Sequence, residues 1–542
     1  MNRGAGRSRL LGAPAAPLLF LSALIARPAL GHGFGQRFDL PIPLDFYLFG
    51  AAATVAVSFL LVALFVRSEG KLNTYPRLNL LSSRMGRLLA HAATLQAVRL
   101  ASVGVFFTLL AAGLFGVQNP ARNIAPTFIW IIWWTGLAYI SALLGDLWAL
   151  INPWKILFQW AESGYRRLFP TGELGLRLPY PRWLGVWPAF ALFIVFVWGE
   201  LVWEANAIPE NLAYAIIAYS GASWTGMFLF GRHAWLRGGE AFTVAFGLLA
   251  RFAPSEIRVV EPSICQLCSA DSCRRGDDCV NCYECLALAR TSRFTGTSDP
   301  RQWNLRPLGV GLLTREAISP SQMAFVVLML ATVSFDGFMA TPLWKEAFDT
   351  ITSTRSLMPL LHRLNMMGMS VDSIVSTIGL VLSPLLFLAV YLAFSLLMVF
   401  AAGLSRKGEA NPFTTARMAS YFVLCLIPIA IAYHLAHYIS FLFVAGQLII
   451  PLASDPFGFD WNLLGTAGYK VNAGLIGARF AWYASVSSVV VGHIIAVYLG
   501  HVLALRGFES RRSALNSQYP MLALMVFYTF AGLWILAQPI VE

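Results

Sequence analysis

The sequence predicts an all-α protein, a polytopic bundle of about ten transmembrane helices carrying one cysteine-rich cytoplasmic loop. Three observations point there. Hydrophobic residues make up 57% of the chain and charged residues only 12%, whereas a soluble domain carries roughly a quarter charged residues. The apolar residues gather in runs of about 20 or more, the length a helix needs to cross about 30 Å of hydrocarbon. The basic residues then fall in alternate connections between those runs, as they do when charge sets orientation in a bilayer. A membrane barrel would show short alternating segments instead. Backbone in lipid must satisfy its own hydrogen bonds, so long apolar runs read as helices. The net charge of +12 is accounted for by these connections, and no nucleic-acid partner is expected.

At the amino terminus, Arg3, Arg7 and Arg9 precede an apolar stretch over 15–26, and Ala29-Leu30-Gly31 offers small residues for cleavage. Residues 1–31 read as a secretory signal peptide rather than a span. His32 would then be the mature terminus, where amine and imidazole can together chelate copper. The spans are placed at 45–66, 98–117, 127–150, 183–203, 211–231, 322–340, 373–403, 419–447, 478–504 and 520–539. Arg67, Lys71, Arg77, Arg84 and Arg87 follow the first, Lys155, Arg166 and Arg167 the third, Arg406 and Lys407 the seventh, and Arg506, Arg511 and Arg512 the ninth. These connections are therefore expected in the cytoplasm, with both mature termini outside a plasma membrane of the bacterial inner-membrane kind. The chain divides into helices one to five (32–231), a cytoplasmic cysteine-rich segment (232–321), and helices six to ten (322–542). Within 232–321, the apolar stretch 240–254 is too short to span and is expected to lie along the interface or to re-enter.

Six of the seven cysteines fall in one stretch: Cys265, Cys268, Cys273, Cys279, Cys282 and Cys285. In a reducing compartment disulfides are rare, so six sulfurs this close point to an iron–sulfur cluster or zinc, against the plainer reading that they bind no metal. The run Cys279-Val280-Asn281-Cys282-Tyr283-Glu284-Cys285 resembles the three-cysteine run of bacterial ferredoxins, although Ala289 and Arg290 stand where its fourth cysteine and proline would be. Cys425, alone in the eighth span, reads as core packing.

Ionisable groups inside a membrane are costly and therefore candidates for function. His434 and His437 are three apart and share a side of the eighth helix, and His493 lies at similar depth in the ninth. Three imidazoles are a plausible set for Zn, Fe or Cu, or for haem, against the simpler reading that each bonds a neighbouring carbonyl. Asp336 and Glu200, near the outer ends of the sixth and fourth helices, could complete a metal shell or serve as general base. Glu204 borders water. His91, His501 and Asp146, near cytoplasmic helix ends, read as helix–helix hydrogen bonds or a separate relay. No P-loop, dinucleotide fingerprint or Gly-x-Ser-x-Gly elbow is present.

Several segments together resemble the fenitrothion hydrolase family of integral membrane proteins. They are His32-Gly33-Phe34-Gly35 with Asp39-Leu40-Pro41-Ile42-Pro43, Trp235-Leu236-Arg237-Gly238-Gly239-Glu240-Ala241-Phe242, Phe335-Asp336-Gly337-Phe338, His434-Leu435-Ala436-His437-Tyr438, Gly446-Gln447 and Asp455-Pro456-Phe457-Gly458. The resemblance spans most of the mature chain, and each motif in it is short. It implies a polytopic protein that hydrolyses organophosphorus triesters, releasing a nitrophenol from fenitrothion, and it allows for partner subunits. It supplies no catalytic residues. The leading expectation is a membrane-embedded, metal-dependent hydrolase of lipophilic triesters. In it a metal on His434, His437 and His493, with Asp336 or Glu200, polarises the phosphoryl oxygen and activates water. The alternative is a transmembrane electron carrier or quinone-linked oxidoreductase, with iron–sulfur on the cysteines and haem or copper on the histidines. A third reading is a transporter or copper-handling protein.

Overall fold

A computed structural model describes residues 39–67, 75–266, 274–275, 278–291, 299–313, 318–403 and 413–538. The signal sequence, His32, Cys268 and Cys273 lie outside the described residues. Among those described, ten helices are long and apolar enough to cross a membrane. They are α1 (Leu44–Phe65), α2 (Ala92–Phe115), α3 (Ile124–Leu143), α5 (Trp187–Leu201), α6 (Pro209–Phe230), α10 (Pro320–Met339), α11 (Val371–Gly403), α12 (Thr415–Ser454), α13 (Ala478–Gly507) and α14 (Arg511–Ala537). An amphipathic helix, α4 (Pro153–Leu168), and a short buried one, α7 (Ala241–Ala250), lie between them. Two further short helices, α8 (Pro262–Gln266) and α9 (Tyr283–Thr291), carry cysteines.

Sequence chemistry sets several of the ends. Asn123 caps α3 by accepting from Ala125 N. Ser319 and Gln322 form a reciprocal capping box at the start of α10, with Pro320 in the first turn, where its missing N–H costs nothing. The third span, expected over 127–150, stops at Leu143. Gly145, with φ of 149°, then turns the chain, and a Cβ there would meet Ser255 Oγ at 2.0 Å. Only glycine accepts both that conformation and that approach.

α10 is the hub of the bundle, packing on α5, α11 and α12, while α1 packs with α13 and α14, and α2 with α6. Of the two placements expected for the apolar stretch 240–254, along the interface or re-entering, the structure has it inserted among the helices. α7 packs against α3, α5 and α12, and eight of its ten residues are buried. A short helix inserted among others needs its amino end satisfied, and Glu240 does this. Its carboxylate accepts from Phe242 N at 3.1 Å, Thr243 N at 2.8 Å, Trp148 Nε1 at 3.2 Å, Asn152 Nδ2 at 3.1 Å and Tyr219 Oη at 2.5 Å, as well as from the Thr243 hydroxyl. In the sequence Glu240 stands out only as part of the Trp235–Phe242 motif.

Beyond α7 the expected loop contains an antiparallel sheet, order β1-β5-β2-β4-β3. Its strands are β1 (Leu78–Asn79), β2 (Ser255–Val259), β3 (Arg274–Arg275), β4 (Asp278–Val280) and β5 (Arg301–Leu305). β1 comes from the connection after the first span, so two distant basic segments are stitched together. At the centre, the buried Glu256 accepts from Tyr75 Oη at 2.9 Å, Arg77 Nε at 2.5 Å and Arg306 Nη1 at 2.9 Å. Arg306 also donates to the carbonyls of Arg251 at 3.1 Å and Ala253 at 3.2 Å, just past the carboxyl end of α7, where the helix dipole favours a cation. This ties sheet to bundle. Burial pushes the Glu256 carboxyl up, but the Arg77 hydrogen bond and the charges of Arg306 and Arg77 outweigh it and hold the group below its ordinary value.

Two outcomes are expected. Glu240→Gln turns an acceptor into a donor opposite backbone N–H groups and should cost about 3 kcal/mol, read as a lowered thermal midpoint of helical circular dichroism in detergent. Glu256, held low in the folded state, lends stability that is present above its unfolded value and lost as pH falls through the folded one. The stability difference between wild type and Glu256→Gln should therefore be full at neutral pH and close on acidification below the ordinary glutamate range.

Candidate functional site

The candidate site is built on α12, whose helical core runs Ile427–Val444. Three of its faces have different tasks. Pro428, Ala432 and Ala436 form a stripe of small residues against α13. There a Cβ on Gly492 would meet Ala432 Cβ at 2.4 Å, and Ser485 Oγ donates to Ala436 O at 3.0 Å. Tyr433 points to α14, donating to Tyr528 O at 3.0 Å. A Cβ on Gly532 would lie 1.1 Å from the Tyr433 hydroxyl, so that position must be glycine. At about 100° per residue, His434, His437 and Tyr438 stand roughly 200°, 140° and 240° around the axis from Ala432. They face away from α13, toward α3, α5 and α10.

On that side four of the five intramembrane candidates come together. His437 Nε2 lies 2.8 Å from Asp336 Oδ2 on α10. Tyr438 Oη donates to the same Asp336 oxygen at 2.7 Å and stands 3.3 Å from Glu200 Oε1 on α5. Tyr438 therefore joins two carboxylates that come from different helices. In the sequence this tyrosine is marked only by its place beside His437, next to two candidate histidines. His434 packs its ring against Tyr438, Tyr139 and Trp134, with centroids 4.7, 5.5 and 5.9 Å away. Tyr139 Oη in turn donates to the carbonyl of Leu435 at 3.0 Å, fixing α3 against α12. Part of α3, Thr127–Gly136, is π-helical, a widened geometry that recurs at functional sites.

Glu200, Tyr438 and His434 line a cavity of about 40 Å³. Its other walls are mainly apolar: Trp134, Phe193, Val197, Leu249, Met329 and Ile431 among them. That volume admits a few waters. Asp336 and His437 stand behind Tyr438, with 12% and 9% of their side-chain surfaces exposed. Glu200 and His434 are likewise partly exposed, and Tyr438 is the buried member of the group. α5 and α10 begin close together, where Val186 N donates to Ser321 Oγ at 3.0 Å, and Glu200 and Asp336 sit near the opposite ends of these two helices.

His493 does not join this group. Its Nδ1 bonds Val489 O at 2.8 Å, its ring lies beside Tyr433 and Tyr528, and its Nε2 meets no partner among the described residues. The reason is the small-residue stripe. α13 packs on the far face of α12, so equal depth did not bring the third imidazole to the same side. Among the described residues, no three of the intramembrane histidines and carboxylates bring ligand atoms within 4.8 Å of one another. Among the described residues His493 stands apart from His434 and His437, and the grouping that exists joins two carboxylates, two imidazoles and a tyrosine. Glu204 lies outside the cluster and accepts from the Ser370 hydroxyl. His501 bridges Gln518 Oε1 and Val66 O at 3.0 and 2.9 Å, the helix–helix role expected for it. His91 caps α2 through Ala93 N at 3.3 Å, and Cys425 is buried in the core.

The second group of interest is the cysteine cluster. Cys265 on α8, Cys279 on β4 and Cys285 on α9 are buried, with sulfur atoms all within 4.8 Å of one another. Cys282 is buried in the same small core. α9 docks on the bundle through Tyr283 Oη, which donates to Asp146 O at 3.3 Å, and through Lys155, 4.9 Å above the Tyr283 ring. The Asp146 carboxyl accepts from Ala149 N at 3.0 Å, and burial pushes it up to about 6. No family model, curated protein or solved structure matches the chain.

Proposed function

We propose that this chain is a membrane-embedded hydrolase of neutral, lipid-soluble phosphotriesters, working by acid–base chemistry without a metal at the intramembrane site. The observation that carries the reading is the Tyr438 hydroxyl set between Asp336 and Glu200, beside His437, at the edge of an otherwise apolar cavity. Such a cluster is costly in hydrocarbon and is expected to work for its place. The substrate class follows from the sequence resemblance and from chemistry: an uncharged triester partitions into the bilayer and can reach a site among helices.

In this reading Glu200 takes a proton from a water in the cavity as the water oxygen attacks phosphorus. The bond to the aryloxy group breaks, and the nitrophenolate leaves and is protonated through His434. Water is consumed, and a diester acid and a nitrophenol are formed. Tyr438 and the Asp336–His437 pair hold Glu200 in position and exchange protons with the exposed edge. The cavity admits water in its present form and must widen to admit an ester, as lids and helices do on substrate binding. The basic connections support a cytoplasmic sheet end, with the Asp336–Glu200 end toward the exterior face of a plasma membrane.

A second reading, a transmembrane electron carrier, is favoured by one observation: the convergence of Cys265, Cys279 and Cys285 on the same chain. It requires iron at that cluster.

The test is nitrophenol release from fenitrothion by purified protein in liposomes. Glu200→Gln, Tyr438→Phe and Asp336→Asn should each lower kcat/KM by about 100-fold, the scale of general acid–base catalysis, with helical circular dichroism unchanged. His493→Gln should keep wild-type turnover. Wild-type protein without turnover, or turnover that survives in all three site variants, would overturn the hydrolase reading.

A further inference from the structure

The cysteine-bearing segment poses a stability problem. Its own core consists of Val259, Ile264, Cys265, Cys279, Cys282, Cys285 and Ala289. Seven small or medium side chains, four of them cysteines, bury too little apolar surface to hold two short helices and two strand ends in place. Units this small are usually stapled by disulfides or a metal.

The backbone is arranged to bring sulfur together. Cys279 pairs with Val259 across the sheet. Asn281 then takes the left-handed conformation, φ 52°, which asparagine tolerates better than most residues. It is pinned on both sides, donating its N–H to Ile257 O at 2.7 Å and accepting from Ile257 N at 2.9 Å through its side chain. That turn sends the chain back into α9 and delivers Cys285 next to Cys279. Cys265 arrives from α8, its sulfur 3.7 Å from Val259 O.

Spacing separates the metals. In a tetrahedral zinc site with Zn–S of about 2.3 Å, neighbouring sulfurs stand about 3.8 Å apart. In an iron–sulfur cluster each iron takes only one or two cysteines, and the ligand sulfurs are spread around a cage of iron and sulfide. Three sulfurs mutually within 4.8 Å suit a single ion.

We propose that Cys265, Cys279 and Cys285 bind one zinc ion, which staples α8, β4 and α9 into a unit and holds α9 against Asp146 and Lys155 of the bundle. Three sulfurs leave the fourth corner of the tetrahedron to a further donor or to water. Binding a thiol-preferring ion expels the thiol protons and adds its binding energy to folding. The ion is structural and carries no electrons. It is independent of the hydrolase reading and opposes the electron-carrier one.

The experiment is metal analysis with a visible spectrum on full-length protein purified anaerobically in detergent. One zinc per chain and no visible absorption are expected. Cys265→Ser and Cys285→Ser should each lose the zinc, whereas Cys425→Ala, remote in the core, should keep it. On wild-type protein a strong chelator should open the 262–291 segment to protease while the helical circular dichroism of the bundle is retained, so the result does not depend on any variant folding. Iron in place of zinc, a metal-free protein with its cysteines oxidised to disulfides, or zinc retained after loss of Cys265 and Cys285 would each overturn the assignment. The metal content is read without any hydrolysis assay, so its failure and that of the proposed activity are distinguishable.

Discussion

Hydrocarbon supplies no hydrogen bonds, and most of this architecture answers that constraint. A polar atom placed within the bundle must find its partner on another part of the chain. Glu240 is the clearest case. Its carboxylate gathers donors from α6, from the turns after α3 and from the first turn of α7, and this permits a helix of only ten residues to end inside the protein. The cavity wall supplied by Leu249 and the packing of α5 on α7 both depend on that insertion. On the sheet side Arg306 serves the same helix from its other end, so two oppositely charged side chains hold a segment that is itself almost wholly apolar.

Much of this was legible in the sequence because the signal was simple. The ten helices follow from apolar length, and the joint placement of Asp336, Glu200, His434 and His437 follows from the rule that ionisable groups in hydrocarbon need one another. The parts that were not legible depend on rotation and on distant pairing. His493 has the right depth, but depth does not reveal that α13 packs on the Pro428–Ala432–Ala436 face. Tyr438 was hidden by its chemistry, since a tyrosine in a span reads equally well as an apolar filler. β1, only two residues long, pairs with β5 more than two hundred positions away, and no local pattern announces such a strand. Glu240 opens the apolar stretch 240–254, and its role emerges only when Trp148, Asn152 and Tyr219 converge on it.

The two polar centres are built on different principles. The intramembrane cluster uses long helices as rigid rails, α5 and α10 each contributing one carboxylate near an end and α12 contributing His434, His437 and Tyr438, so its geometry is set by helix packing. The cysteine cluster uses short elements with almost no core, where the sulfurs themselves make up most of the interior. A change in helix packing would be felt at Tyr438, and loss of the sulfurs would be felt locally at α8 and α9.

The insertion of α7 has a consequence for the cavity. Eight of the ten residues of this short helix are buried among longer ones. One of them, Leu249, also walls the cavity that Glu200, Tyr438 and His434 line. That wall is held in place from outside the cavity, by Glu240 at one end of α7 and Arg306 at the other, so a change at either end would alter the space beside Tyr438 without touching a polar residue of the cluster.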